Sequence, residues 1–143
     1  MRNITFCAIF FLVVSCEDKP IGEDPANTNS ILGTWLLYEN GYSPGGDYIV
    51  ETIEPELNQT ITFRSFHKMT VTIPWLKDFS YYAVLRDDDH QDLVLAFYEH
   101  NPGPSPKLSN SNHKYTLVRE DGDIKLYFRF CNEGCHLALS RVE

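Results

Sequence analysis

From residue 31 onward, apolar and polar residues alternate along the chain with a period of two. The clearest case is the stretch 124–130, which reads Ile-Lys-Leu-Tyr-Phe-Arg-Phe. Successive side chains of a β-strand point to opposite faces, so its isoleucine, leucine and phenylalanines would share the buried face. No window shows the 3.6-residue period of an amphipathic helix. The pattern therefore predicts strands that are buried on one side.

The same alternation predicts further strands, with turn-forming sequences between them. Strand segments are expected at residues 32–39, 47–54, 61–64, 69–73, 79–86, 92–98, 113–119, 124–130 and 135–142. Among the turns, Asp121-Gly122 is a strong hairpin signal. Short strands at even spacing with brief turns predict an all-β fold, an antiparallel up-and-down β-barrel of about eight strands. A β-sandwich is the alternative.

Composition limits the partners that we expect. The formal net charge is −8 and the twelve basic residues are scattered singly, so we expect no nucleic-acid partner. A hydrophobic content of 43%, with nine Phe and eight Tyr, is typical of a folded core rather than of disorder. Residues 31–143 have the length of one small domain.

The first sixteen residues have the pattern of a secretory leader. Arg2 precedes an apolar run that extends to Val14, and Ser15-Cys16 follows it. The run of about 11 residues is shorter than the roughly 20 that a spanning helix needs. Small and branched residues before a cysteine resemble the lipobox of bacterial lipoproteins. That resemblance implies cleavage after residue 15 and acylation of Cys16. The alternative is an ordinary leader with an incidental cysteine.

Residues 16–30 follow as a lipidated cysteine and a tether. Residues 17–30 hold two prolines, four acids and one large apolar residue, which favours a flexible segment. Fully extended, it would reach about 45 Å from a bilayer. Acids directly after the lipidated cysteine resemble a surface-export signal of some Gram-negative lipoproteins. We therefore expect a cell-envelope protein held by its lipid at the outer membrane, on the periplasmic or the cell-surface face.

Two cysteines remain for the domain itself. Cys131 and Cys135 flank the short turn Asn132-Glu133-Gly134, and in an exported protein such a pair predicts a disulfide. The bond would stabilise the last hairpin by about 2 kcal/mol. A metal or redox site is the competing interpretation, because His136 follows Cys135. The spacing is C-x3-C, however, and the domain has no second cysteine pair to complete a zinc tetrahedron.

The two ends of the domain resemble lipocalins. The first predicted strand contains Gly33 and Trp35 in a G-x-W arrangement, and the last contains Arg141. The resemblance implies that the tryptophan closes one end of an eight-stranded barrel with the arginine stacked over it, a cation–π contact. The Thr-Asp-Tyr signature of lipocalins is absent, and the domain is shorter than a typical member. An immunoglobulin-like sandwich competes, but its usual Cys-Trp-Cys spacing is missing.

The sequence gives little support for catalysis. Its five histidines form no His-Glu-x-x-His motif and no close pair, and its serines lack a G-x-S-x-G elbow. The acidic run 87–92 could bind a cation, but it lacks the glycine and distal glutamate of a calcium loop. A solvated hairpin tip explains that run better. We therefore expect no enzymatic activity, no catalytic residue, no metal and no cofactor.

Two functions stay open. In the first, the barrel holds a small hydrophobic ligand. Its lining residues would be Phe63, Met69, Val71, Tyr81, Leu95, Phe97, Leu126 and Phe128. In the second, a filled barrel presents its rim or outer face to another envelope protein. The exposed anchors would be Tyr42, Tyr48, Trp75 and Tyr82. A cavity of about 300 Å³ or more would favour the ligand.

Overall fold

A computed structural model describes residues 31–142 of the chain. The predicted leader, Cys16 and the tether lie outside the described residues. Within them are nine strands and three short 3-10 helices, without an α-helix. The 3-10 helices are Pro55–Leu57, Pro74–Leu76 and Leu108–Asn110. The strands are β1 (Gly33–Tyr42), β2 (Ile49–Thr52), β3 (Thr60–Phe63), β4 (Met69–Val71), β5 (Tyr81–Arg86), β6 (Leu93–Tyr98), β7 (His113–Glu120), β8 (Asp123–Phe128) and β9 (His136–Arg141). No helix in this range is long and apolar enough to cross a membrane.

All nine strands belong to one antiparallel sheet. Its order is β4-β3-β1-β9-β8-β7-β6-β5, with β2 paired to β1 beside this path. Both β2 and β3 pair along one edge of β1: β3 from Gly33 to Leu36, and β2 from Glu39 to Tyr42. The two short strands therefore occupy one position, so the sheet has eight positions. Adjacent positions hold strands that follow one another in the chain, except where the first strand β1 meets the last strand β9.

The sheet closes on itself. On one side β1 pairs with β9 along most of its length. Next to β4, an isolated bridge joins Lys68 to Tyr81 at the start of β5. Two backbone hydrogen bonds flank it, from the Met69 N–H to the Ser80 carbonyl (2.9 Å) and from the Tyr82 N–H to the His67 carbonyl (2.7 Å). The predicted all-β up-and-down barrel is confirmed, and a two-sheet sandwich is excluded.

The barrel has two ends, which we define by β1. At the first end β1 begins, β9 finishes and a tight turn joins β7 to β8. In that turn Asp121 and Gly122 have φ values of 50° and 96°, the conformation of the two-residue turns that match the twist of a hairpin. At the second end β1 finishes, and the connections β1–β2, β4–β5, β6–β7 and β8–β9 lie there.

Alternation along the strands fills the barrel interior. One cluster contains Trp35 and Leu37 of β1 and the inward residues of the other long strands. Loop residues complete it, among them Ile73 and Leu76, which are fully buried in the β4–β5 connection at the second end. The interior thus includes side chains from both strands and connections.

A second, smaller cluster lies on the outer face of β5 and β6. It contains Ala83, Ala96 and Tyr98, with Leu108 of the β6–β7 connection packed against them. The Tyr98 hydroxyl donates a hydrogen bond to the Lys107 carbonyl (3.0 Å), which fixes this connection on the barrel wall. Because it is covered on both sides, β6 reads as a continuous apolar run.

One strand is shorter than its pattern predicts. Phe130 was expected to continue the buried face of the strand at 124–130, but β8 ends at Phe128 and Phe130 is 61% exposed. The Phe128 carbonyl accepts a hydrogen bond from the Cys131 N–H (3.1 Å), which begins a turn. The assignment of Phe130 to the interior is therefore wrong, because the chain leaves the sheet before that position.

Candidate functional site

The first end of the barrel is closed by Trp35. Its side chain is 1% exposed, and its indole N–H donates a hydrogen bond to the Ile31 carbonyl (2.7 Å). The guanidinium carbon of Arg141 lies 5.4 Å from the centroid of the Trp35 ring, within the range of a cation–π contact. Trp35 and Arg141 also face each other in the β1–β9 ladder, so backbone register places the pair.

The absence of a side chain at Gly33 leaves room for the guanidinium group of Arg141. The φ of Gly33 is 118°, a conformation that L side chains rarely adopt, and a Cβ atom there would lie 3.3 Å from an Arg141 guanidinium nitrogen. That nitrogen donates a hydrogen bond to the Leu32 carbonyl (2.7 Å). The structure thus brings together the three residues of the predicted closing motif, Gly33, Trp35 and Arg141.

Aromatic rings pack across the barrel interior. The Phe63 centroid lies 4.8 Å from that of Tyr82 and 6.5 Å from that of Phe97. Tyr115 continues this packing, 5.4 Å from Phe97 and 5.4 Å from Phe128. Such separations are those of rings in direct contact. Side chains, rather than a calyx, occupy the middle of the barrel.

The residues that we predicted to line a ligand site divide into three groups. Buried in the interior cluster are Phe63, Met69, Leu95, Phe97 and Leu126. Packed against that cluster and partly buried are Val71 and Phe128. Tyr81 does not belong to the interior, because it packs with the second cluster on the outer face.

The next residue, Tyr82, faces the interior of the barrel. Tyr82 is 7% exposed and belongs to the interior cluster, so its prediction as an exposed anchor is also wrong. The β5–β6 ladder sets this orientation, because Tyr82 pairs with Phe97 of the interior and Tyr81 pairs with Tyr98 of the outer face. The remaining predicted anchors Tyr42, Tyr48 and Trp75 are 36%, 40% and 48% exposed.

Burial inside the barrel shifts the pKa values of titratable side chains so that their neutral forms are favoured. It raises the pKa of Tyr82 to about 12 and also raises the pKa of Tyr115. It lowers the pKa of His113, whose ring lies between those of Phe79 (4.9 Å) and Phe128 (5.0 Å). The His113 Nε2 is hydrogen-bonded to the Tyr115 hydroxyl (3.0 Å). The interior therefore stabilises the neutral forms of its titratable groups.

Concave surfaces lie on the outer wall instead. A groove of about 300 Å³ is lined by Asp87, Leu108, Lys114, Arg129 and Phe130. Asp87 and Arg129 form an ion pair across it (2.5 Å), and the hydrogen bond from Arg129 is the main cause that lowers the pKa of Asp87. The first carboxylate of the acidic run is therefore paired, whereas Asp88 and Asp89 are exposed, as a solvated tip requires.

Several exposed apolar residues lie close together in the β1–β2 hairpin. All four positions of β2 are exposed, and Ile49 and Val50 are 40% and 51% accessible to solvent. Tyr42 and Tyr48 flank the hairpin turn and are exposed as well. Among the described strands, β2 pairs only with β1, so its other edge carries no strand.

A row of three polar side chains fastens this hairpin to the barrel wall. His136 on β9 is hydrogen-bonded through Nε2 to a Glu39 carboxylate oxygen (2.7 Å) and through Nδ1 to the Tyr48 hydroxyl (2.6 Å). His136 is 8% exposed. The Tyr48 hydroxyl also lies 3.2 Å from the Gly134 carbonyl. Burial, followed by the Glu39 charge, raises the pKa of Tyr48.

Our sequence reasoning missed this row. It depends on a β-bulge, since Leu37 pairs with Leu139 and Glu39 with Ala138, which leaves Tyr38 as an extra residue. It also depends on Gly41, where a Cβ atom would overlap both the Tyr48 hydroxyl and the His136 ring. A glycine inside a strand was the one available signal of such a close approach.

Cys131 and Cys135 form a disulfide with a Cα–Cα separation of 5.6 Å. Both lie in the β8–β9 connection rather than in the strands. Gly134, with φ of 82°, takes the left-handed conformation in the turn between them. Ligand atoms of Cys131, Glu133 and Cys135 lie within 4.8 Å of one another. Because the two sulfurs are bonded to each other, neither is the free thiolate that a metal requires.

No protein-family model, no curated protein and no solved structure matches the chain.

Proposed function

We propose that this protein is an exported, lipid-anchored, lipocalin-like protein of the bacterial cell envelope that binds another envelope protein through its β1–β2 hairpin. One observation carries the proposal: aromatic side chains fill the interior of the barrel, whereas the β1–β2 hairpin leaves apolar residues and a strand edge uncovered. This contrast favours recognition at the surface over binding of a small apolar ligand inside.

The free edge of β2 offers backbone groups for pairing. Hydrogen-bonded and non-hydrogen-bonded pairs alternate along an antiparallel ladder, and the Ile53 N–H donates to the Tyr38 carbonyl (2.9 Å). The register then directs the backbone groups of Glu51 and Ile49 toward β1. It follows that the N–H and C=O groups of Val50 and Thr52 point to the free edge. A partner strand could add there by β-augmentation.

Charge around the hairpin indicates the chemistry of the partner. Four exposed acids lie in or beside β2, at Asp47, Glu51, Glu54 and Glu56. Exposed Val50 provides apolar contact area between them. An extended segment with alternating apolar and basic residues would complement this surface in both pattern and charge.

The hairpin is also held in position before a partner arrives. The Tyr48–His136–Glu39 row connects the hairpin turn to the wall of the barrel. A surface fixed in its binding conformation loses less conformational entropy on association. This geometry supports a docking role for β2 in preference to that of a mobile loop.

Site-specific crosslinking in cells tests the docking surface. A photoreactive phenylalanine at Val50 should give one discrete adduct with another protein, and the same residue at Asp121, in the first-end turn, should not. Thr52→Pro removes an outward N–H and should abolish the adduct, whereas the matched variant Thr52→Ser should retain it. Equal crosslinking from Val50 and Asp121, or an adduct that survives Thr52→Pro, would contradict the proposal.

The lipid anchor has its own test. Cys16→Ser should move the protein from the membrane fraction to a soluble fraction and prevent its labelling by a radioactive fatty acid. Cys7→Ser, which changes the other cysteine of the N-terminal segment, should leave both properties unchanged. A Cys16→Ser protein that stays membrane-bound and labelled would contradict acylation at this residue.

A further inference from the structure

Two arginines extend the interior face of the barrel at its first end. Arg119 follows Tyr115 and Leu117 by alternation along β7, and it pairs with Ile124, which in turn pairs with Leu139. Arg141 follows Leu139 on β9 in the same way and lies over the Trp35 ring. Each arginine is therefore one inward position beyond the apolar cluster.

Neither guanidinium has an anionic partner within residues 31–142. The ion pairs in this range involve other residues. Arg141 donates a hydrogen bond to a neutral acceptor, the Leu32 carbonyl. The Nε atom of Arg119 is buried and has no hydrogen-bond partner among the described residues. An unpaired buried donor on a cation is costly.

The two charges also affect each other. Burial lowers the pKa of Arg119, and the positive charge of Arg141 lowers it further. Arginine nonetheless stays protonated at neutral pH. The first end of the barrel therefore holds two cations and a buried N–H donor without a partner among the described residues. The apolar ring of the buried Trp35 lies beneath them. An anion that reaches the two guanidinium groups would accept hydrogen bonds from their N–H groups and offset the repulsion between them.

We propose that the first end of the barrel binds a small oxyanion, a phosphate or a carboxylate group, between the guanidinium groups of Arg119 and Arg141. Their planar arrays of N–H donors match two oxygens of such a group. The site is at the opposite end of β1 from the β1–β2 hairpin turn, and it does not depend on the proposed docking of a partner there.

Trp35 fluorescence provides a direct measurement. The chain contains two tryptophans, and Trp75→Phe, at a residue that is 48% exposed, leaves Trp35 as the only one. In this background, inorganic phosphate and acetate are titrated against chloride at equal ionic strength. We expect a saturable change in Trp35 emission with phosphate. A response to acetate as well would assign carboxylates to the site, and a response to phosphate alone would restrict it to phosphate groups.

Charge-matched variants separate binding at the pair from a general salt effect. Arg119→Gln should weaken phosphate binding about tenfold or more, because it removes charged donors to the anion. Lys77→Gln removes one positive charge from an exposed residue at the second end and should leave binding unchanged. Arg119→Gln also relieves repulsion, so its melting temperature without phosphate should equal or exceed that of the parent. A chloride response equal to that of phosphate, or full binding by Arg119→Gln, would overturn the proposal.

Discussion

Gly33 combines two constraints that can be separated by mutation. Its φ of 118° strains any side chain, and Arg141 lies against the place where a Cβ atom would be. Gly33→Ala should therefore lower the free energy of unfolding by about 1–3 kcal/mol in chemical denaturation. Gly45 has a φ of 95° with nothing within 4 Å, so Gly45→Ala should cost less. Equal losses would show that the contact with Arg141 contributes nothing.

His113 should give the folded protein a dependence on pH. Burial holds its pKa below the ordinary value of 6.5, so below about pH 6.5 the unfolded chain takes up a proton that the folded protein does not. Stability is therefore unaffected by this residue above that pH and falls as the pH falls below it. Thermal unfolding between about pH 7 and about pH 5 should show the decline.

Two histidine variants test the assignment. His113→Phe keeps an aromatic ring among Phe79, Phe97 and Phe128 but removes the titration, so it should reduce the slope of melting temperature against pH. His100→Phe changes an exposed histidine and should leave the slope as it is. An unchanged slope in His113→Phe would show that protonation of another group causes the decline.

Individual residues could be predicted where a sequence motif identifies them. The prediction failed where it had to decide which face of a strand points into the barrel. Gly33, Trp35 and Arg141 were found because the G-x-W pattern and the terminal arginine are distinctive. Tyr81 and Tyr82 are adjacent aromatics, so local composition allows either to point inward. The inward one is decided by the register of β5 against β6, in which Tyr82 pairs with the buried Phe97.

The Cys131–Cys135 disulfide constrains the β8–β9 connection. Replacing both Cys131 and Cys135 by serine should lower the free energy of unfolding by about 2 kcal/mol in urea denaturation, because the unfolded chain gains freedom. Reduction of the wild-type protein should give the same loss, and the double variant should be insensitive to reductant. A wild-type protein whose unfolding midpoint does not change on reduction would contradict this contribution.

Elements were predicted well in position and less well in their ends and irregularities. Apolar segments and the turn sequences between them locate every strand, since both signals need only the local sequence. Period-two alternation extends one strand to Phe130 because it cannot register the turn after Phe128. The bulge at Tyr38 and the contact of Tyr48 with His136 arise from the register of β1 against β9. No local pattern contains that register.

At the scale of the whole molecule, the barrel follows from the number and spacing of strands, but its contents do not. Alternation indicates which side chains face inward. The empty volume that remains inside the barrel depends on how the aromatic rings of different strands pack against one another. Here Phe63, Tyr82, Phe97, Tyr115 and Phe128 are in contact across the interior. The choice between an internal ligand and an external partner depends on that packing, and sequence left it open.

Native mass spectrometry of the protein isolated from its own envelope tests directly whether this barrel acts through its surface. We predict the mass of the polypeptide from Cys16 onward plus its covalent anchor, with no apolar molecule released by organic solvent. A further non-covalent mass of several hundred daltons that solvent extracts, present in repeated preparations, would contradict the filled interior and the function proposed from it.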